Sequence, residues 1–152
     1  MRRLVLITAL VALLAAACGS SDTSDTGTPP DTGLPDSPER CEELDPLVLD
    51  HLRSGLIVEA SLPWGFSVKS TDYDDVWIVT AAVEADALTE KAFGTWAIRA
   101  GVWPSSYIGT VEVDEIAMRI TDFGDGSIVV TGATDGVLSA QACAQARIEA
   151  GG

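Results

Sequence analysis

Hydrophobic positions along the 152 residues fall into three regimes. From Leu4 to Ala17 the chain is apolar all round, broken only by Thr8. From Gly19 to Pro38 it is polar, with Leu34 as its one aliphatic residue and no aromatic side chain, Lys or Arg. From about residue 39 to 150 apolar and polar positions recur with periods that predict regular elements. Asp45 followed by Pro46 reads as a helix N-cap and first helical position, and Gly55 as the stop beyond it, with Leu47, Val48 and Leu52 on one face. Phe66–Ser70 alternates as a half-buried strand, and Thr71–Asp75 is a turn. Val76–Val83 (VWIVTAAV) is apolar on both faces, which predicts a central strand.

Two further strands are predicted at Gly94–Arg99 and Tyr107–Val113. Val113, Ile116, Ala117 and Ile120 follow at i, i+3, i+4 and i+7, a short helix opened by Asp114. Asp122–Gly126 turns the chain into another strand at Ile128–Thr131. The last element is an alanine-rich helix, Asp135–Glu149, with Val137, Ala140, Ala144 and Ile148 as its stripe. Helices at the ends and strands between them predict an α+β fold. Its small antiparallel sheet has about four to five strands, packed with N- and C-terminal helices.

The front of the chain carries a different kind of signal. Arg2 and Arg3 precede the apolar run, and Ala15-Ala16-Ala17 end it. A basic start, a short apolar stretch and small residues before a cut site make a secretory signal. The competing reading, a buried core helix, requires an amphipathic stripe that this run lacks. Leu4–Ala17 is also short of the roughly 20 residues that cross a bilayer as a helix. Leu13-Leu-Ala-Ala-Ala-Cys18 resembles the bacterial lipobox, although Ala15 stands where Leu is commonest. That resemblance implies that Cys18 is lipidated and becomes the first mature residue. Each buried CH₂ adds about 0.8 kcal/mol of membrane affinity, so more than one acyl chain gives stable anchoring. Three regions are therefore expected: a lipoprotein signal peptide at 1–17, a lipidated cysteine with a disordered acidic tether at 18–38, and a single domain at 39–152.

Charge and cysteine content sharpen this picture. There are 23 acidic and 9 basic side chains, a net charge of -14 and a pI near 4.1. A basic patch for phosphate is missing, which argues against nucleic acid as a partner. Cleavage before Cys18 leaves seven bases against 23 acids, so the mature chain is more acidic still, at -16. With Cys18 lipidated, Cys41 and Cys143 remain of the three cysteines. Export places them in an oxidising compartment, where a disulfide is the default and two free structural thiols the alternative. Two cysteines so far apart with one histidine do not make a metal site.

Candidate chemistry is sparse. His51 is the only histidine and so the only conventional general base. Lying among Leu47, Val48 and Leu52, it reads better as a partly buried packing residue. Asp122-Phe123-Gly124 spells the kinase magnesium motif without any of that motif's companions, and reads as a turn. Asp72, Asp74 and Asp75 offer oxygen ligands to a cation such as calcium, but the twelve-residue loop pattern is absent and solvated turn aspartates are the simpler reading. No catalytic residue, cofactor or metal is expected. The aromatics stand out more: all nine lie between Trp64 and Phe123. Trp64, Trp103 and Tyr107 fall in or beside loops and form the candidate binding surface. Trp77 and Trp96, inside strands, are expected in the core.

Ser67-Val-Lys-Ser-Thr-Asp72, then Val76–Ala82, Gly94-Thr-Trp96-Ala, Val113–Met118, Gly124-Asp-Gly126 and Cys143 resemble a family of small lipoproteins of actinobacteria and their phages. The likeness spans most of residues 41–146. It departs at Met118-Arg119-Ile120-Thr121, where relatives often carry an aromatic residue and a serine. It implies no activity and no catalytic residues. The expectation is a non-enzymatic surface module, anchored to the membrane at Cys18, that binds an envelope or phage protein. The phage association implies a sharper version, exclusion of a second phage. An envelope hydrolase using paired carboxylates or His51, and a structural envelope component, are the rival readings.

Overall fold

A computed structural model describes residues 38–151 save 87, 89, 90, 125 and 127. All of them belong to the unit spanning Thr32–Gly152. The expected signal peptide, Cys18 and the expected tether up to residue 37 lie outside the described residues. Pro38, expected at the end of the tether, already belongs to a 3₁₀ turn, Pro38–Arg40.

The chain builds five strands in sequential order: β1 (Glu42–Glu43), β2 (Gly65–Lys69), β3 (Val76–Val83), β4 (Ala92–Val102) and β5 (Ser106–Glu112). Every neighbouring pair is antiparallel, so the sheet is a meander with β3 at its centre. Among the described residues three α-helices accompany the sheet: α1 (Pro46–Ser54), α2 (Glu115–Ile120) and α3 (Val137–Glu149). The α+β expectation holds, with five strands.

Alternation along β3 sorts the layers, because successive side chains of a strand point to opposite faces. Val79, Ala81 and Val83 pack with Val48 and Leu52 of α1 and with Ala117 and Ile120 of α2. Val76 and Ile78 pack on the other face with Val137 and Ala140 of α3. The N- and C-terminal helices thus cover opposite faces of one sheet. The disulfide Cys41–Cys143, 6.6 Å between Cα atoms, fastens the residue just before β1 to the middle of α3.

Helix starts follow the sequence signals closely. Asp45 accepts a hydrogen bond from Leu47 N and Asp114 one from Ala117 N, the standard use of a carboxylate at an N-cap. In α1 the buried face is Val48, Leu49 and Leu52, while Leu47 is 54% exposed, against the sequence reading. At 100° per residue, positions 48, 49 and 52 make one stripe and Leu47 sits on its flank.

Other elements depart further. The α3 helix begins at Val137 rather than Asp135, behind Gly136 in the left-handed region at φ 93°. A Cβ there would stand 3.2 Å from both Ile78 and Val68, so both backbone and space call for glycine. The expected strand Ile128–Thr131 does not form. Ile128 is buried and Val129 is 80% exposed, so the alternation is present without a ladder. The segment is instead a strap from α2 on one face to α3 on the other. It is held by side-chain contacts such as the Tyr73 hydroxyl donating to Val129 O at 2.8 Å.

Candidate functional site

The three aromatic residues singled out from sequence do not share one surface. Gly65 pairs with Ala81 and Lys69 with Trp77, so Trp64 stands where β2 begins and β3 ends. Trp103 follows the last residue of β4, past the Arg99–Val76 pair, at the opposite end of the sheet. Tyr107 belongs to the Trp103 end, where its hydroxyl donates to Pro104 O.

At that end Trp77 and Trp103 stack in parallel, with ring centroids 4.8 Å apart and planes within 2°. The Lys69 ammonium lies 4.0 Å from the Trp77 ring centre, a cation–π contact. Trp77 is therefore a half-buried member of a surface stack and not the core residue expected of it. It faces the same side as Val79, at the end of β3, and Trp103 covers it there. Trp96 is fully buried as expected, and its indole N–H donates to Thr121 Oγ1 at 2.9 Å.

His51 sits between rings. Tyr107 stacks on it at 4.1 Å and Phe123 approaches at 5.2 Å. Its Nε2 shares a 2.7 Å hydrogen bond with Thr110 Oγ1. Burial lowers its pKa below the ordinary histidine value, so the ring is neutral at pH 7. A hydroxyl at hydrogen-bond distance from an imidazole is the beginning of a nucleophile–base pair. Thr110, however, is only 4% exposed, beneath the layer that Tyr107 and Phe123 form with the ring. The Tyr107 hydroxyl has its pKa raised, by burial first and then by the charges of Asp45 and Asp50.

Two of the turn aspartates are engaged by other parts of the fold. Asp72 accepts from Asp135 N at 2.8 Å, and Asp75 stands 3.1 Å from Arg99 Nε. Among the described residues no group of three or more His, Cys, Asp or Glu is placed to hold a metal ion. No described helix is long and apolar enough to cross a membrane.

Around Trp64 the surface is concave. Leu62, fully buried, anchors the loop ahead of it, and Trp64 O accepts from Ala82 N at 2.9 Å. The Arg147 guanidinium lies 4.8 Å from the Trp64 ring centre and 5.9 Å from that of Phe66. Glu43 holds the same guanidinium at 3.0 Å. One cavity of about 390 Å³, toward the start of α1, and another of about 280 Å³, toward the end of α3, share Pro63 and Trp64 as walls. Trp64 is visible in the sequence as a loop aromatic, whereas Arg147 comes 83 positions later with no local signal linking the two.

A second cluster also escaped the sequence reading. Arg40 donates to both carboxylate oxygens of Asp135, at 2.8 and 2.7 Å, and to Lys69 O at 2.7 Å. Thr71 N donates to the same carboxylate at 2.8 Å. The Arg40 guanidinium, reinforced by the Thr71 N–H, holds the Asp135 carboxyl well below the usual carboxylate range, against the opposing effect of burial. This cluster ties the entry of the domain, the β2–β3 turn and the approach to α3 together. Comparison with protein-family models, curated proteins and solved structures finds no match to the chain.

Proposed function

We propose that this protein is a lipid-anchored binding module of the cell envelope, without enzymatic activity, held at the extracytoplasmic face of a membrane through Cys18. The observation that carries the reading is the pairing of Cys41 with Cys143. It accounts for two of three cysteines and leaves the third directly after an apolar run with the features of a secretory signal. A disulfide closing so long a loop also suits an oxidising compartment. The likeness to small lipoproteins of actinobacteria and their phages belongs to the same reading. In its sharper form the partner is a phage protein and the effect is exclusion of a second phage; unchanged plaque counts across a phage panel would oppose that form.

The non-enzymatic part is supported by His51, whose Nε2 is bonded to buried Thr110 and whose ring lies against Tyr107 and Phe123. The test is the intact mass of the membrane-fraction protein, with and without reductant. The expected species begins at acylated Cys18 and gains two hydrogens on reduction. An unmodified full-length chain in the cytosol overturns the proposal.

A further inference from the structure

The two cavities that meet at Trp64 do not stop there. The smaller one shares Val83, Glu84 and Lys91 with an open groove of about 600 Å³ alongside Ser61. The three lie side by side at this end of the sheet, with Trp64 a shared wall of the first two and Glu84 of the last two. We infer that together they form a docking surface for a basic, extended segment of a partner protein. Apolar side chains of that segment enter beside Trp64, and its cationic ones meet carboxylates of the lining. The inference rests on the proposal that the chain is a binding module, and gives that module a surface and a partner chemistry.

Charge complementarity selects the occupant. Glu84 lines the second cavity and the groove, and Glu59 and Asp86 the groove alone, while Glu43 and Asp45 in the first cavity are already engaged, by Arg147 and by the start of α1. Among the described residues that line the three, Lys91 is the one basic side chain. Glu59, Glu84 and Asp86 are exposed, where their field reaches solvent and can steer a cationic partner in. Between the carboxylates the lining is apolar, from Leu49 and Pro63 to Ala92 and Ile148. Carboxylates interspersed with apolar lining match a strand of alternating basic and apolar residues. The groove is open to solvent, which suits a chain laid across it better than a small molecule enclosed on most sides.

The anchor is already ordered. Arg147 on the Trp64 face, held by Glu43, and Phe66 at its edge (6.1 Å, 66°) fix the indole before any partner arrives. A large side chain immobilised in advance loses little entropy on binding, the usual property of a dominant interface residue.

The test uses the full oxidised chain in mild detergent and a capped octapeptide of alternating Lys and Val, followed by NMR. Lys–Gly and Glu–Val octapeptides of the same length separate charge from apolar contact. The expected result is saturable shifts centred on the Trp64 indole and on Ala82 and Ala92, with affinity about tenfold weaker for Lys–Gly and no saturation for Glu–Val. Trp64→Ala weakens Lys–Val binding about tenfold or more, as does the combination Glu59→Gln, Glu84→Gln, Asp86→Asn. Trp103→Ala leaves it unchanged. The triple variant alters exposed side chains only, so the test survives if Trp64→Ala fails to fold. Absent binding, shifts centred on Trp103, or affinity indifferent to both variants overturns the inference. Should acylated Cys18 not be found while the peptide seats at Trp64, the anchor falls and the groove stands. Should the chain be acylated and the peptide seat elsewhere, the groove alone falls.

Discussion

Arg40 and Asp135, 95 positions apart, face each other in a two-pronged pair, guanidinium to carboxylate, at 2.8 and 2.7 Å. Both side chains are largely shielded, 23% and 16% exposed, so water screens the pair less than it would a surface ion pair. Asp135→Asn or Arg40→Ala is expected to cost about 1.5–3 kcal/mol, the range for a hydrogen bond to a charged group. A double-mutant cycle by urea unfolding checks that the two losses are shared rather than additive.

The same pair sets a pH dependence. Asp135 is held below its unfolded value, so the unfolded chain takes up its proton first as pH falls. The pair's contribution is complete above the unfolded carboxylate pKa of about 3.9 and is lost progressively below it. The difference in stability between wild type and Asp135→Asn should therefore be constant near neutrality and shrink below about pH 4. Unfolding curves at pH 7 and pH 3 read this directly.

Breaking the Cys41–Cys143 bridge, which spans 102 positions, removes a constraint on the unfolded chain. For a loop of about 100 residues the chain-entropy model gives about 4.7 kcal/mol, and measured losses fall at about 2–5. Cys143→Ser, or reduction, should lower the urea midpoint by the corresponding amount. An unchanged midpoint on reduction would show that the fold does not depend on the covalent link.

Gly55 offers a prediction of unusual sign. Its φ of -92° is open to any residue, and Gly→Ala at such a site ordinarily stabilises by about 0.4–1 kcal/mol. Here an added Cβ would lie 2.3 Å from the Phe123 ring. Gly55→Ala is expected to destabilise by about 1–3 kcal/mol through overpacking. Phe123→Leu in the same chain should restore part of the loss, measured by thermal or urea unfolding.

As the chain's only histidine, His51 can be followed as one titrating imidazole by NMR. Its burial places the folded midpoint below the reference value of about 6.5. The unfolded state then binds the proton more readily, so this residue destabilises the fold as pH drops below about 6.5. A midpoint at or above that value would contradict the packing of Tyr107 and Phe123 on the ring.

Local physics was legible in the sequence and long-range pairing was not. Asp45 and Asp114 announce their helices because a cap acts within three residues, and VWIVTAAV announces a central strand because both its faces are apolar. Burial at the element ends depends on partners the sequence does not adjoin. Trp77, in a strand, is covered by Trp103 from the turn after β4, and Ile128 alternates like a strand but joins no ladder. The last helix is expected from Asp135, yet that residue's carboxylate is committed to Arg40 and Thr71, and the helix starts two residues later. For the candidate site, Trp64 was visible as a loop aromatic, whereas Arg147 and Glu43, which orient it, come from opposite ends of the domain.

The placement of Arg40 and Cys41 has a mechanical consequence. A pull on the chain ahead of residue 38 meets the Arg40–Asp135 pair first and then the covalent bridge to α3, before it can reach β1. Strand β1 is two residues long and would be the first part to peel if tension were applied to it directly. The load passes instead into a thirteen-residue helix lying across β2 and β3. The domain can thus be held by its front end and tugged without its sheet being unzipped.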